Sequence, residues 1–141
     1  SVAAVTGGVQ PQWLRSTGEA ICKKAGKPPI NVLTFTDAAG EQLALREGKA
    51  QALMENYPTA VVFAQDSKGA LELVPNLQVL KTYFAMVIPQ SDKELAHALQ
   101  QAWDTIMKNG TYDKIMTKWG MQGIEIHEAY IDGATSHPPA N

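Results

Sequence analysis

Three short apolar runs, Val2-Ala3-Ala4-Val5, Ile30-Asn31-Val32-Leu33-Thr34-Phe35 and Ala50 to Met54, are separated by segments that carry helix start and stop signals. Two neighbouring strands can run in the same direction only if the chain between them crosses back, and a helix is the usual crossover. The pattern therefore predicts an α/β fold, with a mostly parallel sheet flanked by helices. In the first crossover Pro11 suits a first-turn position, and Trp13, Leu14, Ala20, Ile21 and Ala25 fall on one side before Gly26 and Pro28-Pro29 stop the helix. Asp37 is placed to cap a second helix carrying Leu43, Ala44 and Leu45, with Gly48 just past its end. Asn56-Tyr57-Pro58 turns into a third helix through Ala60 to Ala64, broken near Gly69. Leu71 to Val74 reads as a fourth, short strand, and after a Pro75-Asn76 turn an extended run from Val79 to Val87 ends at Pro89.

The last third changes character. Ser91-Asp92-Lys93-Glu94 has the form of a capping box with Ser91 as the cap, and Leu95, Leu99, Ala102 and Ile106 follow at helical spacing until Asn109-Gly110. Thr111 is placed to cap a further helix whose Tyr112, Ile115, Met116 and Trp119 share a face before Gly120. A C-terminal helical hairpin with two apolar stripes is expected, then an irregular tail from Met121 to Asn141.

Several classes of function are excluded. The 141 residues carry a net charge of −2, without a basic run to neutralise a row of phosphates, so nucleic acid is not an expected partner. The longest uninterrupted apolar stretches fall far short of the roughly 20 residues of a membrane-spanning helix. Cys22 has no second cysteine to pair with, and His97, His127 and His137 are scattered, so no metal site is expected. Gly7-Gly8 is not part of a GxGxxG pattern and no GK[ST] follows, which leaves nucleotide chemistry and bound cofactors without support. No Ser, His and acid grouping can be assembled, and no catalytic residue is assigned.

Two places at strand ends can hold a small ligand. Thr6-Gly7-Gly8-Val9-Gln10 turns directly from a strand into a helix, leaving the first helical N–H groups and the positive end of the dipole free for an anion such as a carboxylate. Glu55 and Asn56 follow the third strand, where open α/β sheets bind ligands.

Taken with Gly48-Lys49-Ala50-Gln51-Ala52, the run YFAMVIP from Tyr83 to Pro89, and above all NGTYDKI from Asn109 to Ile115 with Lys118-Trp119-Gly120, these residues resemble the extracytoplasmic solute-binding proteins of polar amino-acid ABC transporters. The tail Ala129-Tyr130-Ile131-Asp132-Gly133-Ala134 is similar to the ends of many members. The resemblance implies a periplasmic-binding-protein-like fold of two lobes joined by hinge strands and closing on a ligand. Residues 1–80 would be the second, inserted lobe, 81–121 the returning hinge strand and closing helices of the first, and 122–141 the tail, with the N-terminal half of the first lobe missing. It further implies a periplasmic or otherwise extracytoplasmic protein, a small amino-acid-like solute and a membrane permease as partners, and no covalent chemistry. The ligand's carboxylate would lie on Thr6 to Gln10, where Gly8 replaces a hydroxyl residue. The acid that holds its ammonium group matches Asn56, with Glu55 alongside to supply charge. Because the hairpin's apolar stripes would normally cover the missing part, pairing with a second copy by element exchange, or with a complementing N-terminal segment, is expected. Two alternatives use the same scaffold: a cyclohexadienyl-dehydratase-like enzyme with Glu55 as the proton-transfer acid, and the sensing module of a receptor.

Overall fold

Alanine dominates the middle of the sheet. In a computed structural model that describes residues 1–75, 77 and 79–133, Val2–Val5 (β1) lies between Val32–Phe35 (β2) and Ala52–Leu53 (β3), all three parallel in the order β2-β1-β3. Val2 pairs with Val32 on one side and with Ala52 on the other. The ladder runs past the strands at both edges, where the Thr6 N–H donates to the Phe35 carbonyl at 2.8 Å and the Met54 N–H to the Ala3 carbonyl at 2.9 Å. A central parallel strand is covered on both faces, and Ala3 and Ala4 are fully buried.

The chain divides into two units, Ser1–Leu73 and Val74–Asn141. In the first, Val9–Trp13 (α1), a π-helical turn over Leu14–Gly18 and Glu19–Lys24 (α2) form one continuous helical crossover. The wide turn brings Gly18 against Trp13 and Ile30: a Cβ there would lie 3.0 Å from Ile30 Cδ1 and 3.3 Å from Trp13 Cζ3. Ala38–Arg46 (α3) packs on all three strands, with Ala3, Ala44 and Ala50 at the contact and Leu33, Phe35 and Leu53 around it. Tyr57–Asp66 (α4) follows β3.

Asp37 caps α3 as its sequence position predicts, with Oδ1 accepting the Gly40 N–H at 2.8 Å. Asp37→Ala is expected to lower the stability of the first unit by about 1 kcal/mol, read from urea melts, since it orphans that N–H group.

In the second unit Lys93–Lys108 (α5) and Thr111–Lys118 (α6) form the predicted hairpin. Trp103 and Tyr112 meet edge to face, with ring centroids 6.0 Å apart. The segment beyond α6 is tied to both helices: Tyr112 Oη accepts the Ile126 N–H at 3.2 Å, and Gln100 Nε2 donates to the Ala129 carbonyl at 2.8 Å. Leu95, Trp103, Ile115 and Trp119 remain partly exposed. No helix among the described residues is long and apolar enough to cross a membrane.

Four local expectations are corrected. Asp92, not Ser91, caps α5: the helix starts one residue later, and Asp92 Oδ1 accepts the Leu95 N–H at 3.0 Å in place of the Glu94 N–H that a cap at Ser91 would take. Gly110 rather than Thr111 precedes α6: the turn needs a φ of 75°, which glycine adopts freely, and the Thr111 N–H is taken by Asn109 Oδ1 at 2.9 Å. Leu71 to Val74 and the described part of Val79 to Val87 form no strand, since the three-stranded sheet offers them no partner and Val87 is 96% exposed. The third helix starts at Tyr57 and ends at Asp66, longer than the apolar run alone indicates, because Asn56 caps it and Pro58 fits its first turn. The expectations for Asn76 and for residues 134–141 fall outside the described residues.

Candidate functional site

With β1 central, the chain leaves it for β2 on one side and returns through β3 on the other. Open parallel sheets bind ligands outside the carboxyl ends of their strands. Both groups of sequence-predicted site residues lie at this edge: Thr6 to Gln10 follow β1, and Glu55 and Asn56 follow β3.

The first group is shaped by its glycines. Gly7 has a φ of +80° with open space where a Cβ would be, so glycine is required there by backbone conformation. Gly8 is the N-cap of α1 in an extended conformation, with its N–H on the Val5 carbonyl at 3.3 Å and no side chain to cap the helix. The Gln10 side chain folds back over it, and Oε1 lies 2.5 Å from where a Cβ on residue 8 would sit. Thr6, Gly7 and Val9 are exposed, while Gly8 and Gln10 are half-buried. The result is a small, uncharged hollow at a helix start, edged by one flexible amide.

The second group is held by a closed set of hydrogen bonds. Glu55 Oε2 accepts both the Asn56 N–H at 2.8 Å and Asn56 Nδ2 at 2.9 Å. Asn56 Oδ1 in turn accepts the Thr59 N–H at 3.1 Å and the Thr59 hydroxyl at 2.8 Å, which caps α4. The Asn56 amide is thus occupied at both ends within the chain, and its neighbour Glu55, half-buried, carries the charge at this edge.

Beneath Glu55 lies a residue that the sequence reading passed over. Glu41, in the first turn of α3, is fully buried, and neither of its carboxyl oxygens accepts a hydrogen bond from a donor of the chain. Its pKa is raised to about 8, first by burial, then by the charge of the Glu55 carboxylate and a hydrogen bond to it, and last by the charge of Asp37 at the helix cap. The positive end of α3 acts the other way and is outweighed. A signal was available in the sequence: Glu41, Ala44 and Leu45 stand at i, i+3 and i+4, so this acid occupies the core stripe of its own helix.

Tyr83, Ile126, His127, Glu128 and Tyr130 line an open depression in the second unit, which contains none of the predicted site residues. Among the described residues no three His, Cys, Asp or Glu side chains are grouped to hold a metal ion.

Residues 12–122 match the model of the bacterial extracellular solute-binding proteins, family 3. The chain belongs to this family. The matched span begins just after the glycine turn and includes Glu41, Glu55 and Asn56. Among curated proteins, the arginine-binding protein ArgT of Corynebacterium glutamicum is 31% identical over 113 residues, which are 80% of this chain and 36% of that protein. Enolase-phosphatase E1 of Drosophila erecta is 33% identical over 63 residues, 45% of this chain and 25% of that protein. No solved structure matches. The chain therefore spans about a third of the length of its arginine-binding relative. The family confirms the periplasmic-binding-protein-like α/β fold, and it is a family of extracellular binding proteins rather than enzymes, which weighs against the dehydratase alternative.

Proposed function

We propose that the chain is part of the substrate-binding component of an ABC importer, working in the periplasm or on the outer face of a membrane. It takes an amino acid or a related small polar solute by closure of two lobes about a hinge, and hands it to a membrane permease. The observation that carries this reading is the pairing, at one edge of one sheet, of a charge-free helix-start hollow with a half-buried carboxylate. The first offers N–H groups to a solute carboxylate, and the second accepts from its cationic group. The arginine-binding relative makes L-arginine the first solute to try. In the same reading, residues 1–80 act as the inserted lobe, and 81–121 supply the returning hinge segment and closing helices of the other.

Isothermal titration calorimetry with L-arginine and the other standard amino acids tests the proposal directly. Gly8→Asp sharpens it, because stability and affinity are expected to respond differently. The extended backbone at Gly8 suits an Asp N-cap, and the gain from capping offsets the shift needed at the end of Gln10 and at the Val5 carbonyl, 3.3 Å from the new Cβ, so stability stays within about 1 kcal/mol of wild type. The added negative charge in the hollow repels a solute carboxylate, and affinity falls about tenfold or more. Unchanged affinity in a well-folded variant refutes the anion-binding role of the turn.

The exposed apolar residues of α5 and α6, Leu95, Trp103, Ile115 and Trp119, support a partner for this face, either a second copy or a complementing segment. Light scattering on the purified chain distinguishes a dimer from a monomer.

A further inference from the structure

We propose that Glu41 and Glu55 form an acid pair that shares one proton and receives the cationic group of the solute, so that capture of the solute expels the proton from Glu41. The inference rests on the solute-binding reading above and assigns to it a residue and a coupled reaction.

Three observations lead to it. Glu41 has no exposed surface, no donor from the chain on either carboxyl oxygen, and the Glu55 carboxylate as the neighbour that its own proton can reach. A buried carboxylate without a partner is strongly disfavoured, so the group stays protonated until a compensating charge arrives. Among the described residues no cation acts on it. Of the strands packed on α3, β1 and β2 contain no ionisable side chain and β3 leads only to Glu55. On α3's own side the charge that acts on Glu41 is that of Asp37, again negative. The pair is therefore a site short of one positive charge, at the sheet edge where this fold binds ligands.

Glu55 is positioned to make the connection. Both hydrogen bonds from Asn56 fall on Oε2, which anchors the carboxylate from one side. An ammonium or guanidinium group docking on Glu55 cancels the charge that helps hold the proton on Glu41. It also attracts the negative charge that Glu41 gains on release. One cation enters, one proton leaves to the solvent, and the net charge of the pair with its occupant is unchanged.

The test is calorimetric titration of the chain with L-arginine at pH 6, 7 and 8, in two buffers of different ionisation enthalpy. Release of about one proton per solute is expected at pH 7, with affinity rising about tenfold from pH 6 to 7 and levelling towards 8. Glu41→Gln, of nearly the same shape and without a proton to lose, is expected to bind with a flat pH profile. It also removes any confusion with His97 and His127, which stay in place. L-glutamine as a second solute separates the sources of the cation: release with both solutes assigns the α-ammonium group, and release with arginine alone assigns the guanidinium. If the wild type binds either solute with no proton release and a flat profile, the inference falls while the solute-binding reading stands. The wild-type measurement decides this even if the variant fails to fold. If no amino acid binds at any pH, both fall together.

Discussion

Urea melts of the wild-type chain are expected to lose stability as pH rises from about 4.5 to about 8, at roughly 1.4 kcal/mol per pH unit, and Glu41→Gln is expected to abolish that slope. Between the two values an unfolded chain has already given up the Glu41 proton, whereas the native chain still holds it in the core beneath Glu55. Raising the pH therefore favours the unfolded chain until the native carboxyl also ionises near pH 8. Over the whole window the difference reaches several kcal/mol, comparable with the entire stability of a small domain. At pH 8 the variant should be the more stable protein by that margin. Below pH 5 the two should be close, because the wild type is then as uncharged at this position as the amide. A wild-type profile that is level between pH 5 and 8 contradicts a buried, proton-bearing Glu41.

Ala3→Leu is expected to be the most damaging single substitution in the sheet. Ala3 is fully buried where β1 meets α3, and its neighbours there, Ala44 and Ala50, are also alanines. Three methyl groups at one contact let helix and strand approach closely, and a larger side chain must either displace α3 or leave its preferred rotamer. Overpacking of this kind costs about 1–3 kcal/mol and sometimes more. The midpoint of urea unfolding should fall with the slope unchanged. Ala20→Leu on the exposed surface of α2, which adds the same atoms, should stay within about 0.5 kcal/mol of wild type. Because α3 carries Glu41, any displacement that Ala3→Leu causes should also admit water to that carboxyl and flatten the pH slope.

The alternation of apolar runs with capping residues made the parallel sheet, its three strands and the helical segments between Val9 and Lys118 readable from residue order, though not the π-helical turn inside the first of them. Asp37 shows why: its carboxylate satisfies an N–H three residues away, a local interaction that depends on nothing distant. The misplaced caps at Ser91 and Thr111 are both one residue in size, the first because two adjacent side chains were chemically able to cap and the second because the backbone turn at Gly110 set the start of the helix. The strands expected at Leu71 to Val74 and Val79 to Val87 failed for another reason. An extended apolar run becomes a strand only beside a partner, and neither propensity nor alternation reports whether a partner exists. In the candidate site, the turn at Gly7-Gly8 and the acid at Glu55 were legible because glycine pairs and strand-end acids stand out in sequence. Glu41 was not, because an acid in a helix reads as a solvated charge until the helix's packed face is known.

Asn56 deserves a last consequence, since its amide serves Glu55 and Thr59 at once. Changing it to Asp would move a charge to position 56, but the donor to Glu55 would be lost and two carboxylates would face each other. Changing Glu55 alone would strand the Nδ2 donor and empty the edge of charge. Positions 55 and 56 are thus epistatic: a double substitution that moves the acid back by one residue should be tolerated better than the sum of its single steps, so that in descent the two can be exchanged only together.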